Sequence, residues 1–188
     1  MSVQFTQENF SQLNEAANQV TQIIFEHTKS ERGVHVETAI CAPCFLAGTL
    51  ILRSTDVNLS KLEPGQPVFV NMSNEGSQDV VNDTGRDVHN FMQKICSPLG
   101  IEPFSGWNQP IPDDHQPLQS GIDLVQKIEE PFTDLMNRLG IPKEYHPYVA
   151  AFAGMKVIQM GKQALNPEIG KAIALNSLVA GCKTVPYS

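Results

Sequence analysis

The spacing of apolar and polar residues predicts a chain built mainly from α-helices. From Thr6 to about Glu31 one set of positions recurs at intervals of three and four residues, which is typical of one face of an amphipathic helix. These positions are Phe10, Leu13, Ala17, Val20, Ile24 and His27. Gly33 follows at a place suited to capping the helix. The sequence therefore begins with an amphipathic helix.

A second segment, His35 to Arg53, is apolar on nearly every side. A helix without a polar face has to be covered by other elements. Its longest apolar run, Thr38 to Leu52, has 15 residues, fewer than the 18 or so that a bilayer span needs, and Pro43 and Gly48 interrupt it. Pro43 leaves two interpretations open: a helix throughout, or a short strand over residues 34–40 that leads into a helix beginning near Pro43. We prefer the continuous helix, because Gly48 and the neighbouring alanines suit close helix packing.

Four more helices follow from the same periodicity. They run from about Gln78 to Ile95, Leu118 to Leu139, Lys143 to Leu165 and Pro167 to Lys183. Pro131 predicts a kink or a break in the second of these, and Gly140 is placed to end it. The helix from Lys143 is the second very apolar one, and Pro147 is acceptable in its first turn. Small residues, such as Gly154 and Gly181, predict close approach between helix backbones.

Two connectors rich in proline and glycine separate these helices. The first, residues 56–77, contains a possible extended piece at residues 68–70, and the second, residues 97–117, has five prolines, which exclude a regular element. The second connector also holds Trp107, the only tryptophan, and His115. We expect Trp107 to anchor the connector onto the bundle, although Trp107 and His115 are also candidates for contact with a partner or a ligand.

These elements together predict an all-α fold over residues 1–188. We expect one domain, a bundle of roughly six helices with two very apolar helices at its centre and long connectors outside it. A chain of this length is enough for one domain with a sizeable core. We detect no internal repeat that would indicate a solenoid.

Charge narrows the range of partners. The formal net charge is −7, and no short stretch is rich in Lys or Arg, so nucleic acid and anionic membranes are poor partners. Acidic residues concentrate between Asp56 and His115, whereas lysines outnumber acids from Ile141 onward. This split favours docking between like molecules, and solubility explains it equally well. Residues 1–10 lack the pattern of a secretory signal, and four cysteines are consistent with reduced thiols, so we expect a cytoplasmic protein.

The most suggestive chemical feature is the sequence Cys41-Ala42-Pro43-Cys44. It is similar to the CxPC motif of thioredoxin-like proteins, in which the first thiol is exposed at a helix N-terminus and has a lowered pKa. The likeness covers four residues, and Ile40 replaces the usual aromatic residue. Members of the all-α alkylhydroperoxidase-like family carry a histidine four residues after their CxxC, where this chain has Gly48. We interpret Cys41 and Cys44 as small side chains of a buried helix.

Other polar groups give weaker signals. Cys41 and Cys44 supply half of a zinc site, with nothing in the spacing of Cys96, Cys182 or His35 to complete it. Three carboxylates spaced by four residues, on Asp79, Asp83 and Asp87, favour a solvated acidic face over a cation site. We therefore predict neither a metal site nor a cofactor.

Both very apolar helices begin near a histidine and a glutamate: His35 with Glu37, and His146 with Glu144. These pairs flank a common pocket if the two helix N-termini meet. Ordinary capping explains them as well, and it is the interpretation we favour.

Three functional hypotheses follow. The first is a non-enzymatic cytoplasmic protein that forms a homo-oligomer or contacts another protein, because one chain of this size has two very apolar helices to cover. The second is a thiol-dependent redox enzyme that uses Cys41 and Cys44. The third is a module that encloses an apolar small ligand, with His35 and His146 at the mouth. The sequence contains no P-loop, dinucleotide-binding glycine motif or common hydrolase motif.

Overall fold

The computed structural model describes residues 5–55, 57–68 and 75–187, and for residues 75–80 the backbone alone. Within this part the chain forms six α-helices and one two-stranded antiparallel sheet. The elements in chain order are α1 (Gln7–Thr28), β1 (Lys29–Ser30), β2 (Gly33–Val34), α2 (Val36–Arg53), α3 (Glu75–Cys96), α4 (Gly121–Leu139), α5 (His146–Gly161) and α6 (Pro167–Gly181). The predicted all-α bundle is confirmed.

The end of α1 differs from the prediction. The helix stops at Thr28, and the next residues form the hairpin β1–β2, in which Lys29 pairs with Val34 and Ser30 with Gly33. Gly33 has a φ of +101°, a backbone conformation that glycine adopts at no steric cost. Gly33 therefore serves the hairpin, and its predicted role as the helix cap is wrong.

Helix α2 is continuous across Pro43, as we preferred, and it lies at the centre of the bundle. Every residue from Glu37 to Thr49 is buried, and all five other helices contact α2. Its start is capped by His35, whose side chain accepts a hydrogen bond from the backbone N–H of Thr38. A single chain therefore covers its most apolar helix without help from a second copy.

Small residues set the distance between α2 and its neighbours. A Cβ placed on Gly48 would lie 2.2 Å from the carbonyl oxygen of Leu178 in α6, and one on Gly154 of α5 would lie 2.4 Å from the sulfur of Cys44. Gly161, near the end of α5, faces Val36 at the start of α2. Helix α5 therefore runs antiparallel to α2, and the predicted close approach at small residues is confirmed.

By length and composition alone, α2 is the one described helix able to cross a membrane, with a mean hydropathy of 1.5. In the bundle, 78% of the helix is buried by the rest of the chain. A buried core helix meets the same criterion, so the finding is weak evidence for a membrane.

The remaining boundaries differ by a few residues from those predicted. Helix α3 begins three residues earlier than expected, and α5 begins at His146, after one turn of 3-10 helix. Helix α4 is not broken at Pro131. The buried residues Ile128 and Phe132 hold the helix in the core just before and just after the proline. Gly140 ends α4 with a φ of +64°, as predicted. Most of the possible extended piece at residues 68–70 lies outside the described residues.

Candidate functional site

Two histidines from distant parts of the chain meet on one carboxylate at the start of α2. The Nε2 atom of His35 lies 3.4 Å from Oε2 of Glu37, and Nδ1 of His115 lies 2.8 Å from Oε1 of the same residue. The side chain of Glu37 is only 12% exposed, whereas those of His35 and His115 are 32% and 29% exposed. We call these three residues the His–Glu cluster. It joins the second connector to the central helix.

The neighbouring hydrogen bonds assign the proton on His35. The backbone N–H of Leu118 donates to the Thr38 hydroxyl oxygen at 3.0 Å, and that hydroxyl lies 2.9 Å from Nδ1 of His35. The backbone N–H of Thr38 also points at this nitrogen. Because Nδ1 of His35 therefore accepts, Nε2 carries the proton and donates it toward Glu37.

His115 is oriented by the same carboxylate. The hydrogen bond to Glu37 is the largest cause that raises the pKa of His115, and the negative charges of Asp114 and Glu37 raise it further, against a smaller opposing effect of burial. A carboxylate that orients an imidazole is also a feature of catalytic bases. Among the described residues, however, no serine or cysteine side chain bonds to His115. The pair holds the second connector against the start of α2.

Cys41 and Cys44 lie in the interior of α2, away from its N-terminus. Cys41 is 5% exposed and Cys44 is fully buried, and neither forms a disulfide. Burial raises the pKa of both thiols, although a hydrogen bond with Ser177 partly offsets the effect for Cys41. A reactive thiol needs exposure and a lowered pKa. Cys41 and Cys44 meet neither condition, because both thiols are buried and both have a raised pKa.

The other two cysteines lie in similar surroundings. Cys96 and Cys182 are buried and unpaired, and burial raises their pKa to about 11 and about 12 respectively. Within the described residues, no group of three His, Cys, Asp or Glu side chains is arranged to hold a metal ion.

Trp107 is packed against the bundle and is only 5% exposed. Its Nε1–H donates a hydrogen bond to the carbonyl oxygen of Pro103 at 2.6 Å, and its ring meets the ring of His89 edge-on. These contacts tie one part of the second connector to α3. Trp107 is thus an internal anchor and offers little surface to a partner.

A buried lysine beneath the connector was missed by the sequence analysis. Lys171 of α6 has no exposed surface, and its ammonium donates to the carbonyl oxygen of Glu102 and to the hydroxyl of Ser105. The ammonium also lies 5.6 Å from the ring centroid of Trp107. The signal that was available is the single charge in the apolar run 169–175 of a helix. A buried charge needs partners, and here the connector supplies them.

His146 does not join the His–Glu cluster. It is buried, its Nε2 bonds to the carbonyl oxygen of Ile141 at 2.9 Å, and its ring packs against Phe132. Because α5 runs antiparallel to α2 and Gly161 faces Val36, His146 lies roughly 22 Å along α5 from the start of α2. The hypothesis that His35 and His146 flank one pocket is therefore wrong.

The proposed acidic face of α3 is described in part. The carboxylate of Asp83 forms an exposed ion pair with Arg86 at 2.7 Å. The side chain of Asp79 lies outside the described residues.

In the structure the second connector extends to Ser120, because α4 begins only at Gly121, and two large apolar side chains project from it into solvent. Phe104 is 84% exposed and Leu118 is 72% exposed. Met160, which is 58% exposed, lies at the same end of the bundle, because its neighbour Gly161 faces the start of α2. We call Phe104, Leu118 and Met160 the connector-end patch. Phe104 and Leu118 each directly follow a proline, and Leu118, which the sequence placed at the start of a helix, lies in the connector instead.

The candidate site is therefore a connector fixed at two places, by the His–Glu cluster and by Lys171, with exposed apolar side chains at the same end of the bundle. Comparison with protein-family models, with curated proteins and with solved structures gave no significant match.

Proposed function

We propose that this chain is a non-enzymatic, cytoplasmic helical protein that acts by associating with a second copy of itself through the connector-end patch. The observation that carries the proposal is the exposure of Phe104 and Leu118 on a connector that is otherwise anchored. One chain covers both of its very apolar helices, so the basis for self-association is the connector-end patch and not an uncovered helix.

The anchoring makes the patch suitable for binding. Phe104 lies between Glu102 and Ser105, both of which accept hydrogen bonds from Lys171, and the backbone N–H of Leu118 bonds to Thr38. The backbone around each exposed side chain is therefore already ordered. A surface that is ordered before binding loses less conformational entropy on association. Exposed large apolar groups in such a setting are typical of interaction sites.

Charge supports a contact between like copies. The connector beside the patch carries Asp113 and Asp114, both exposed, while Lys162 is exposed two residues after Met160. In a two-fold dimer the same surface is used by both copies, so the acids of one connector can face the lysine of the other. Such complementarity fixes the orientation of the contact.

Sedimentation velocity over a range of concentrations tests the proposal. We expect the native chain to dimerise and the F104S/L118S variant to dissociate at least about tenfold more readily, because two apolar side chains lose their burial. V179S is the matched control, since Val179 is an exposed apolar residue 40% accessible on the far half of α6. It should dimerise like the native chain. A native chain that remains monomeric at high concentration would contradict the proposal.

A further inference from the structure

A cleft of about 260 Å³ lies between α3 and α6, and the proposed self-association makes no use of it. Its apolar floor includes Val81, Leu178 and Cys182, and polar groups of Arg86, His89 and Lys183 line it as well. We call it the α3/α6 cleft. It combines an apolar surface with cationic side chains, which is the composition that binds amphipathic anions.

The floor of the cleft is fixed by the core. Val81, Leu178 and Cys182 are each at most 7% exposed. Gly85 faces this floor, because a Cβ at this position would lie 4.0 Å from the sulfur of Cys182. The cleft is therefore bounded by packed side chains and a residue without one, and it does not depend on a mobile loop.

The charged residues give the cleft a preference for anions. Among the described residues that line it, two are cationic, Arg86 and Lys183, and none carries a carboxylate. Arg86 is paired with Asp83 outside the cleft, but both side chains are about two-thirds exposed. An ion pair that exposed is weak, so a ligand carboxylate can take the place of Asp83.

His89 adds a neutral polar group. Burial lowers the pKa of His89, so its imidazole is uncharged at neutral pH. Its Nε2 lies 3.3 Å from the amide nitrogen of Gln93. The amide therefore donates to Nε2, which leaves the proton of His89 on Nδ1. His89 limits the positive charge of the cleft to Arg86 and Lys183.

We propose that the α3/α6 cleft binds a small organic anion with a short apolar body, such as a medium-chain monocarboxylate. The apolar body lies on Leu178 and Val81, and the carboxylate pairs with Arg86 and Lys183. The volume is slightly below the range of about 300–1,000 Å³ typical of sites for drug-sized ligands, so the cleft favours a short ligand.

The test is a two-dimensional NMR titration of the full chain with octanoate and, in parallel, with 1-octanol, which has the same tail and no charge. We expect octanoate to shift amide signals of α3 and α6 around the cleft in a saturable way. Octanol should bind at least about fivefold more weakly, because it lacks the charge-assisted hydrogen bonds to the two cations.

Two variants and a control locate the site. R86Q removes one cation from an exposed position, and V179E places a negative charge on another residue of the lining. Each should weaken octanoate binding at least about fivefold. R138Q, at an exposed position in the last turn of α4, is the matched control and should bind octanoate normally.

Three results would overturn the proposal. The first is the absence of saturable shifts at octanoate concentrations up to about 10 mM, which would fill most of a millimolar site. The second is equal binding of octanol, which would show that the cationic residues do not select the ligand. The third is shifts confined to other parts of the molecule. The comparison of the two ligands needs no variant, so it holds even where a substitution perturbs folding.

Discussion

A single carboxylate decides how the second connector is held at one end. Glu37 is buried among the residues of α2 and yet lies beside two imidazoles: it accepts a hydrogen bond from Nδ1 of His115 and lies 3.4 Å from Nε2 of His35. An unpaired carboxylate in this place would be costly, because burial removes its hydration. The two histidines replace that hydration, and one of them belongs to the connector. The charge on His115 therefore affects how firmly the connector is attached.

The stability of the fold should depend on the protonation of His115. Its pKa is raised in the folded state, so its contribution is fully present below the unfolded pKa of about 6.5 and is lost as the pH rises through the folded value. In H115N, a side-chain amide keeps a donor near the position of Nδ1 but does not titrate. We expect the difference in free energy of unfolding between native protein and H115N to be largest at low pH and to shrink as the pH rises.

Urea unfolding of both proteins between about pH 5.5 and about pH 8.5 measures this difference directly. Taking the difference cancels the titration of groups that the two proteins share. A constant difference across the range, or one that grows with pH, would contradict the assigned role of Glu37 and His115.

At the scale of elements, the packing of α2 against α6 depends on two glycines. A Cβ on Gly48 would lie 2.2 Å from a carbonyl oxygen of α6, and a Cβ on Gly181 would lie 2.2 Å from the carbonyl oxygen of Phe45 in α2. Each glycine therefore faces backbone, and backbone atoms cannot move aside as the end of a flexible side chain can. The two helices are locked at a short separation from both sides.

Replacing Gly48 by alanine should separate α2 and α6. We expect G48A to lower the free energy of unfolding by about 1–3 kcal/mol, the usual cost of overpacking a core. The matched control is G85A in α3, where the nearest atom to the new Cβ is 4.0 Å away. This control should be more stable than the native chain by about 0.5–1 kcal/mol, since alanine favours a helix over glycine. Urea unfolding of G48A, G85A and the native chain measures both effects. If the midpoints of G48A and G85A shift in the same direction from the native value, this explanation is contradicted.

The sequence predicted the elements better than the contacts between them. The lack of a polar face identified α2 as a central helix, and Gly48 with the neighbouring alanines favoured a continuous helix through Pro43. The His–Glu cluster was not predicted, because Glu37 and His115 are 78 residues apart and no local pattern links them. Lys171 was missed for the same reason: its partners come from a connector with no periodicity. Local spacing predicts which face of a helix is buried, but tertiary packing alone decides what covers it.

At the scale of the whole molecule, the four thiols share one environment. All four are buried and reduced, and they come from helices α2 and α3 and from the residue that follows α6. A reagent can reach them only when the bundle opens. Thiol chemistry therefore reports the opening of the fold.

The four cysteines should label slowly with 5,5′-dithiobis(2-nitrobenzoate) under native conditions. We expect protection of Cys41 and Cys44 by at least about a thousandfold relative to the unfolded chain, because labelling requires a large opening of the core. The same reagent in denaturing urea supplies the reference rate, with four thiols reacting. Rapid labelling of Cys41 in the folded protein would contradict this prediction and would favour the redox hypothesis.

The central position of α2 has a consequence for synthesis on the ribosome. Roughly 110 residues lie between the end of α2 at Arg53 and the start of α6 at Pro167, and translation at about 5–20 residues per second adds them in roughly 6–20 s. During that delay the nascent chain exposes the apolar surface of α2, which is 18 residues long. We therefore expect the nascent chain to be most prone to aggregate in this interval, and a pause in translation before α6 would lengthen it.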